Sequence, residues 1–241
     1  MADLTDTAIL QSAPALSGAH PVFDPVAFLP MLDTALTGLS DRRAIRARTV
    51  SLLSDARSDA MRAIEAGLTS HPRAARETVR AIASLTDGIV IATHHVATTW
   101  LHPQQFPSEA ERLAVLGVGG YGRAEMAPES DVDLLFLTPW KITAWAESVV
   151  ESMLYILWDL KLKIGHSIRS VDDCIRLGAG DMTIRTSLVE HRLDGPCAPG
   201  RRIARTPVDR AVFQDHPCLY RSQAGGTGRP PSAARGPAIC P

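Results

Sequence analysis

Aromatic side chains are scarce in this 241-residue sequence, with four Trp, three Tyr and five Phe. Uninterrupted apolar runs are short, and none reaches the roughly 18 residues that a membrane-spanning helix needs. The amino terminus, MADLTDTAIL, is acidic where a secretory signal is basic. A cytoplasmic protein with no membrane partner is therefore expected. Cysteine is rare as well: Cys174, Cys197, Cys218 and Cys240 show no C-x-x-C spacing, which argues against a zinc ribbon or redox pair and leaves free thiols. An excess of one charge is also lacking. Twenty-five Lys and Arg stand against 26 Asp and Glu, a formal net charge of −1, so nothing calls for a nucleic-acid partner. What remains, 45% hydrophobic and 21% charged residues, is the composition of a globular protein of one large or two small domains.

Four regions follow from local pattern. Residues 1–23 mix Pro, Gly, Ser and Ala without periodicity and read as a loose arm. Residues 24–104 carry three helical patterns. Val26, Phe28, Leu29, Leu32, Leu36 and Leu39 recur at helical spacing after Pro25. A second pattern runs from Asp41 to a stop at Gly67, and a third runs from about Pro72 towards Leu101. The pair His94 and His95 sits in the third; neighbours on a helix point about 100° apart, so the two do not face one metal ion together.

Residues 105–195 change character. Leu113–Val118 and Asp131–Leu137 are short apolar runs suited to buried strands, and Thr143–Leu160 is an amphipathic helix. Leu160, Leu162 and Ile164 alternate with Lys161 and Lys163, which predicts a third strand through LKLKIGHSIRS. Ser170 and Asp173 form a capping-box pair opening another helix, and Asp181 caps a last one expected to end near Gly195. The fold class is thus α/β (α+β): helices first, then a mixed sheet with flanking helices. Residues 196–241 hold seven Arg, no Lys or Glu, two Asp and eight Pro, a tail ill suited to a packed core.

The chemistry concentrates in LAVLGVGGYGRAEMAPESDVDLLFL, Leu113 to Leu137. Residues two apart on a strand share a face, so Asp131 and Asp133 project together while Val132, Leu134 and Phe136 face the other way. Two carboxylates held side by side repel one another and call for a cation, and hard oxygen ligands suit Mg²⁺. Gly119 and Gly120 end the preceding strand, where a missing Cβ lets a ligand approach the backbone. A helix starting near Tyr121 would point free N–H groups at phosphate oxygens. A lone G-G is usually a turn and a lone D-x-D often a solvated strand edge. Joined at this spacing between two strands, they point to a nucleoside triphosphate bridged by Mg²⁺.

On these residues the chain resembles the nucleotidyltransferase superfamily that includes DNA polymerase beta. The strings VGGYGRAEMAPESDVDLLFL, LWDLKLKIGHSIRSVDDC and TSLVEHRLDG resemble, more closely, the amino-terminal region of the bacterial PII uridylyltransferase and uridylyl-removing family, over about Leu36 to Gly195. The resemblance implies a polymerase-beta-like mixed sheet and transfer of UMP from UTP to a tyrosine of the PII signal protein, with release of pyrophosphate. It implies Asp131 and Asp133 as catalytic Mg²⁺ ligands and Gly119 and Gly120 as the triphosphate cradle, with Arg123 and Ser130 beside the nucleotide: Arg123 neutralising phosphate, an exposed loop arginine being the other reading, and Ser130 bonding its aspartate neighbours, the start of the strand being the other. Adenylyl transfer and a nucleotide-binding module without turnover are the other readings.

Two departures from the family stand out. Many members of the superfamily place a third carboxylate on a later strand, and Ile164–Arg169 contains no acid. His166 is the base candidate there, since imidazole exchanges protons near neutral pH, with a structural role as the other reading. The family's transferase region also continues into further domains, including an HD hydrolase. No H…HD pattern occurs downstream, so truncation is expected and uridylyl removal is not.

Overall fold

The computed structural model describes residues 23–194 apart from 107 and 109. The arm expected at the amino terminus, the tail of residues 196–241 and Cys197, Cys218 and Cys240 lie outside these residues, apart from Phe23. Cys174 is buried and free, and burial pushes its thiol up to about 11.

Three helices come first. Helix α1, Pro25–Leu36, opens with its proline in the first turn, and the Asp24 carboxylate accepts the Val26 N–H at 2.9 Å. Helix α2, Arg42–Ser70, is capped by Asp41, which accepts the Ala44 N–H at 3.0 Å. It runs past Gly67, where the sequence pattern placed the stop; a single glycine does not end a helix, whereas His71 precedes Pro72 and is driven out of helical geometry. Helix α3, Ala75–Val96, continues into a π-helical turn, Ala97–Leu101. From Ile82 to Thr93 only Ser84 escapes burial, so this stretch of α3 is central and covered on every side. Buried Thr86 and Thr93 satisfy their hydroxyls on the Ile82 and Ile89 carbonyls, at 2.9 and 2.7 Å. Asp33 of α1 ties the bundle together by accepting the Trp100 indole N–H at 2.7 Å and pairing with His95 at 2.7 Å.

The remaining elements build one four-stranded sheet of order β3-β2-β1-β4. Strand β1 is Ala114–Gly117, the one-turn helix α4 is Gly119–Gly122, and strand β2 is Val132–Thr138. Helix α5, Ala144–Asp159, crosses over to strand β3, Ile164–Ser170, followed by α6, Val171–Gly180, α7, Met182–Val189, and β4, Arg192–Asp194. Strand β1 is antiparallel to both β2 and β4, while β2 and β3 are parallel, as a helical crossover requires. The capping box between Ser170 and Asp173 is present at the start of α6. Hydrogen bonds from Arg176 and then Ser170 hold the Asp173 carboxyl well below its ordinary range.

Two further boundaries differ from the sequence pattern. The alternation at Leu160, Leu162 and Ile164 is not strand: Leu160 caps α5, and Lys161 takes a left-handed φ of 61° in the turn that follows. The strand lies farther on, from Ile164. The last helix ends at Val189 rather than near Gly195, and β4 follows it. Three residues are too few for a periodic signal, so this edge strand was invisible in sequence.

The sheet is covered on both faces. Val115, Val132, Leu134 and Phe136 join Ile89, Val96, Met153 and Leu157 in the main core, so α1–α3 and the sheet share one hydrophobic interior. Leu116, Leu135, Cys174 and Leu188 form a smaller cluster under α6 and α7.

Candidate active site

Strand β2 carries the acids to the edge of this core. Val132 is 1% exposed within the main cluster, so its neighbours Asp131 and Asp133 are turned away from it. Asp131 stands one residue before the strand and is exposed; Asp133 is half-buried. The alternation that pairs them on one face is thus a property of the strand's threshold rather than of its interior.

Asp133 is held between two glycines. Gly119 has φ +61°, a left-handed conformation that a side chain resists, and a Cβ there would stand 3.3 Å from one carboxylate oxygen of Asp133. On the other side, the parallel register places Gly165 of β3 opposite Asp133, where a Cβ would overlap the second carboxylate oxygen. The Val118 N–H donates to the Asp133 carbonyl at 3.0 Å, carrying the β1–β2 ladder up to the glycine turn. Gly120 is under no such constraint, since a Cβ there would meet only ordinary contacts.

Helix α4 is the turn that the glycines were expected to open, and it begins at Gly119 rather than Tyr121. The first N–H groups of a helical turn have no partner within it, so those of Gly119 and Gly120 are available at its start. Arg123 follows. Its guanidinium lies alongside Gly120, with one nitrogen 3.8 Å from where a Cβ would sit. It donates to Glu190 at 2.7 Å and to Glu125 at 3.3 Å, so its charge is already shared with two carboxylates. Ser130 reaches neither aspartate: its hydroxyl and N–H both donate to the Ala127 carbonyl, at 2.9 and 3.2 Å.

On β3 the acid face is occupied by Gly165, Ser167 and Arg169, which register with Asp133, Leu135 and Leu137. None is a carboxylate, and Gly165 leaves no space for one. His166 registers with Leu134, on the opposite face, and its ring packs 6.2 Å from that of Trp158. This geometry does not support the base role considered for it. Among the described residues no group of three or more His, Cys, Asp and Glu side chains is placed to hold a metal ion. Two carboxylates two residues apart at the start of β2, Asp131 and Asp133, nevertheless suit Mg²⁺ by their chemistry, since that ion commonly takes one or two from the protein and completes its shell with water and substrate phosphates.

Sequence reasoning missed a second set of residues around the turn. The Arg192 guanidinium grips both carboxylate oxygens of Asp87 on α3, one contact measuring 2.8 Å, and donates to the Tyr121 carbonyl at 3.1 Å. It also lies 5.0 Å over the Tyr121 ring. Gly122 packs so tightly under the Glu190 carbonyl that no Cβ would fit. Glu190 and Arg192 lie in TSLVEHRLDG, yet nothing in that string says what they touch.

No family profile matches the chain. Individual relatives do. A bifunctional uridylyltransferase/uridylyl-removing enzyme of Cereibacter sphaeroides is 57% identical over 191 residues, which is 79% of this chain and 19% of that protein. This chain is a relative of the bifunctional uridylyltransferase/uridylyl-removing enzymes. The enzyme of the same name from Ruegeria pomeroyi is 50% identical over 80% of this chain and 21% of its own length, and that of Azospirillum brasilense 44% identical over 73% and 18%. The chain therefore spans about a fifth of the length of the curated relatives it matches. No helix of the described residues is long and apolar enough to cross a membrane.

Proposed function

We propose that this chain carries a nucleotidyl-transfer site that moves UMP from UTP to a tyrosine of the PII signal protein and releases pyrophosphate, in the cytoplasm. The observation that supports it most is the seat of Asp133, whose two carboxylate oxygens lie against the glycine turn on one side and Gly165 on the other. That seat brings an acid to the mouth of a turn whose free N–H groups favour phosphate. The names of the relatives supply the uridylyl group, since the turn and the acids alone do not separate UTP from ATP.

In this reading the N–H groups of Gly119 and Gly120 bind phosphate oxygens, and Arg123 adds positive charge beside them. Asp131 and Asp133 would hold Mg²⁺, which supplies neutralisation of the phosphate charge when bound. The tyrosine oxygen bonds to the α-phosphorus as the bond to the pyrophosphate oxygen breaks. The site's contribution is to align these groups and to present fixed donors where charge grows. The acceptor of the phenolic proton lies elsewhere than the acid face of β3, where only Gly165, Ser167 and Arg169 stand.

The test is pyrophosphate release from UTP by the 241-residue chain, with and without purified PII. Release that requires PII supports transfer. Binding of UTP with no release in either case would instead favour a nucleotide-binding module without turnover, and release from ATP in preference to UTP would favour adenylyl transfer.

A further inference from the structure

The glycine turn does not support itself. Helix α4 has four residues, and its backbone bonds, such as Gly122 N–H to Val118 and Arg123 N–H to Gly119 at 3.0 and 3.1 Å, are those of a single turn, which is marginal by itself. Further support comes from some seventy residues along the chain. Arg192 donates to the carbonyl of Tyr121, in the middle of the turn, and lies over the same residue's ring. The Glu190 carbonyl closes on Gly122, and the Glu190 carboxylate accepts from Arg123, the residue that caps the turn. Arg192 in turn is anchored on Asp87, and the side chains of this pair are only 10% and 12% exposed. Asp87 belongs to the buried stretch of α3, so the turn is indexed to the best-covered helix of the fold.

We infer that Asp87, Glu190 and Arg192 are positioning residues that fix the glycine turn, and with it the N–H groups of Gly119 and Gly120, against the Asp133 carboxylate. That positioning role is argued from these contacts and needs no nucleotide; its effect on a bound nucleotide rests on the transfer reading above. The planar fork of arginine is what the position requires. It takes both oxygens of Asp87 and still reaches the Tyr121 carbonyl, which the single ammonium of lysine does not do.

The experiment compares the full chain with Arg192→Lys and with Glu190→Gln, which leaves the buried Arg192–Asp87 pair intact. Amide hydrogen exchange at Gly122, Arg123 and Glu125, whose N–H groups donate within the turn, is expected to quicken by about tenfold or more in Arg192→Lys, with α2 and α5 unchanged, because local opening is read out separately from global unfolding. MgUTP affinity, measured by calorimetry, is expected to fall by about tenfold or more in the same variant, since small misplacements of binding groups are costly. Glu190→Gln should show the same pattern more weakly, and it decides the matter if Arg192→Lys does not fold. Unchanged exchange at the turn overturns the inference. Uniform acceleration through the whole chain overturns it too, because Arg192 would then be a general stabiliser. Accelerated exchange confined to the turn, in a chain that binds no MgUTP in any form, keeps the positioning role and counts against nucleotidyl transfer instead.

Discussion

On one face of β2, Val132, Leu134 and Phe136 are at most 1% exposed and share a core with α3 and α5. On the other, Leu135 joins only a small cluster under α6 and α7, and Asp133 beside it stays half-buried at the rim. The two faces belong to the same seven residues, yet the first specifies the strand's register and the second is left to carry charge. A one-residue slip would exchange them, placing carboxylates in the main core at a cost no neighbouring cation repays. The hydrophobic face thus holds the acids where they are without touching them.

The comparison can be broken most severely from its apolar side. Phe136→Ala is expected to cost about 3–5 kcal/mol of stability, as large-to-small changes at fully buried aromatics do, read as a large drop in thermal midpoint. An equal loss from Asp131→Asn would contradict the division between the faces. Asp131→Asn and Asp133→Asn should each lower PII-dependent pyrophosphate release by about 100-fold or more while leaving the midpoint nearly unchanged. Full activity in both variants would remove the acid face from the chemistry.

A third measurement probes the covered side through pH. Burial, helped by neighbouring His95, lowers His94 on α3 from 6.5 to about 4. Between these values the unfolded chain takes up a proton that the folded chain refuses. Stability present above pH 6.5 is therefore lost as the pH falls towards 4, by at most about 3 kcal/mol. Denaturant midpoints for His94→Gln should be flatter over this range than those of the wild type.

Gly165→Ala tests the contact between the faces' edge strand and the acid. Displacing Asp133 by less than 1 Å should cost about tenfold to 100-fold in transfer with a smaller effect on stability, and wild-type turnover would show that the seat of Asp133 is not required. The smallest effect is expected at Lys161, which adopts φ 61° in the turn before β3. Lys161→Gly relieves that conformation and should stabilise the chain by up to about 1 kcal/mol, visible as a small rise in midpoint.

Much of this was legible in the residues. The caps at Ser170 and Asp181, the helix from Thr143 and the two apolar strands each carry a local signal, because capping and periodicity act within a few residues. The shift of β3 to Ile164 was not legible, since Leu160, Leu162 and Ile164 mimic a strand while Lys161 turns the chain. Strand β4 was not legible either, being three residues paired to β1. At the site, Gly119 and the two acids announced themselves by spacing, whereas Gly165 gained its meaning only from the register with Asp133. Arg123 and Ser130 were named from their positions beside the motif. The structure gives the first to Glu190 and Glu125 and the second to Ala127.

The order of apolar and acidic residues along Leu113–Leu137 was enough to determine a strand, a glycine turn and an acid-bearing strand, because side-chain alternation and left-handed glycine are local properties of the backbone. Which residues meet across those elements was decided by tertiary structure alone. Parallel pairing brings Gly165 to Asp133, and the return of the chain through β4 brings Arg192 to Asp87 and Tyr121, contacts between residues 32, 105 and 71 positions apart that no local rule encodes.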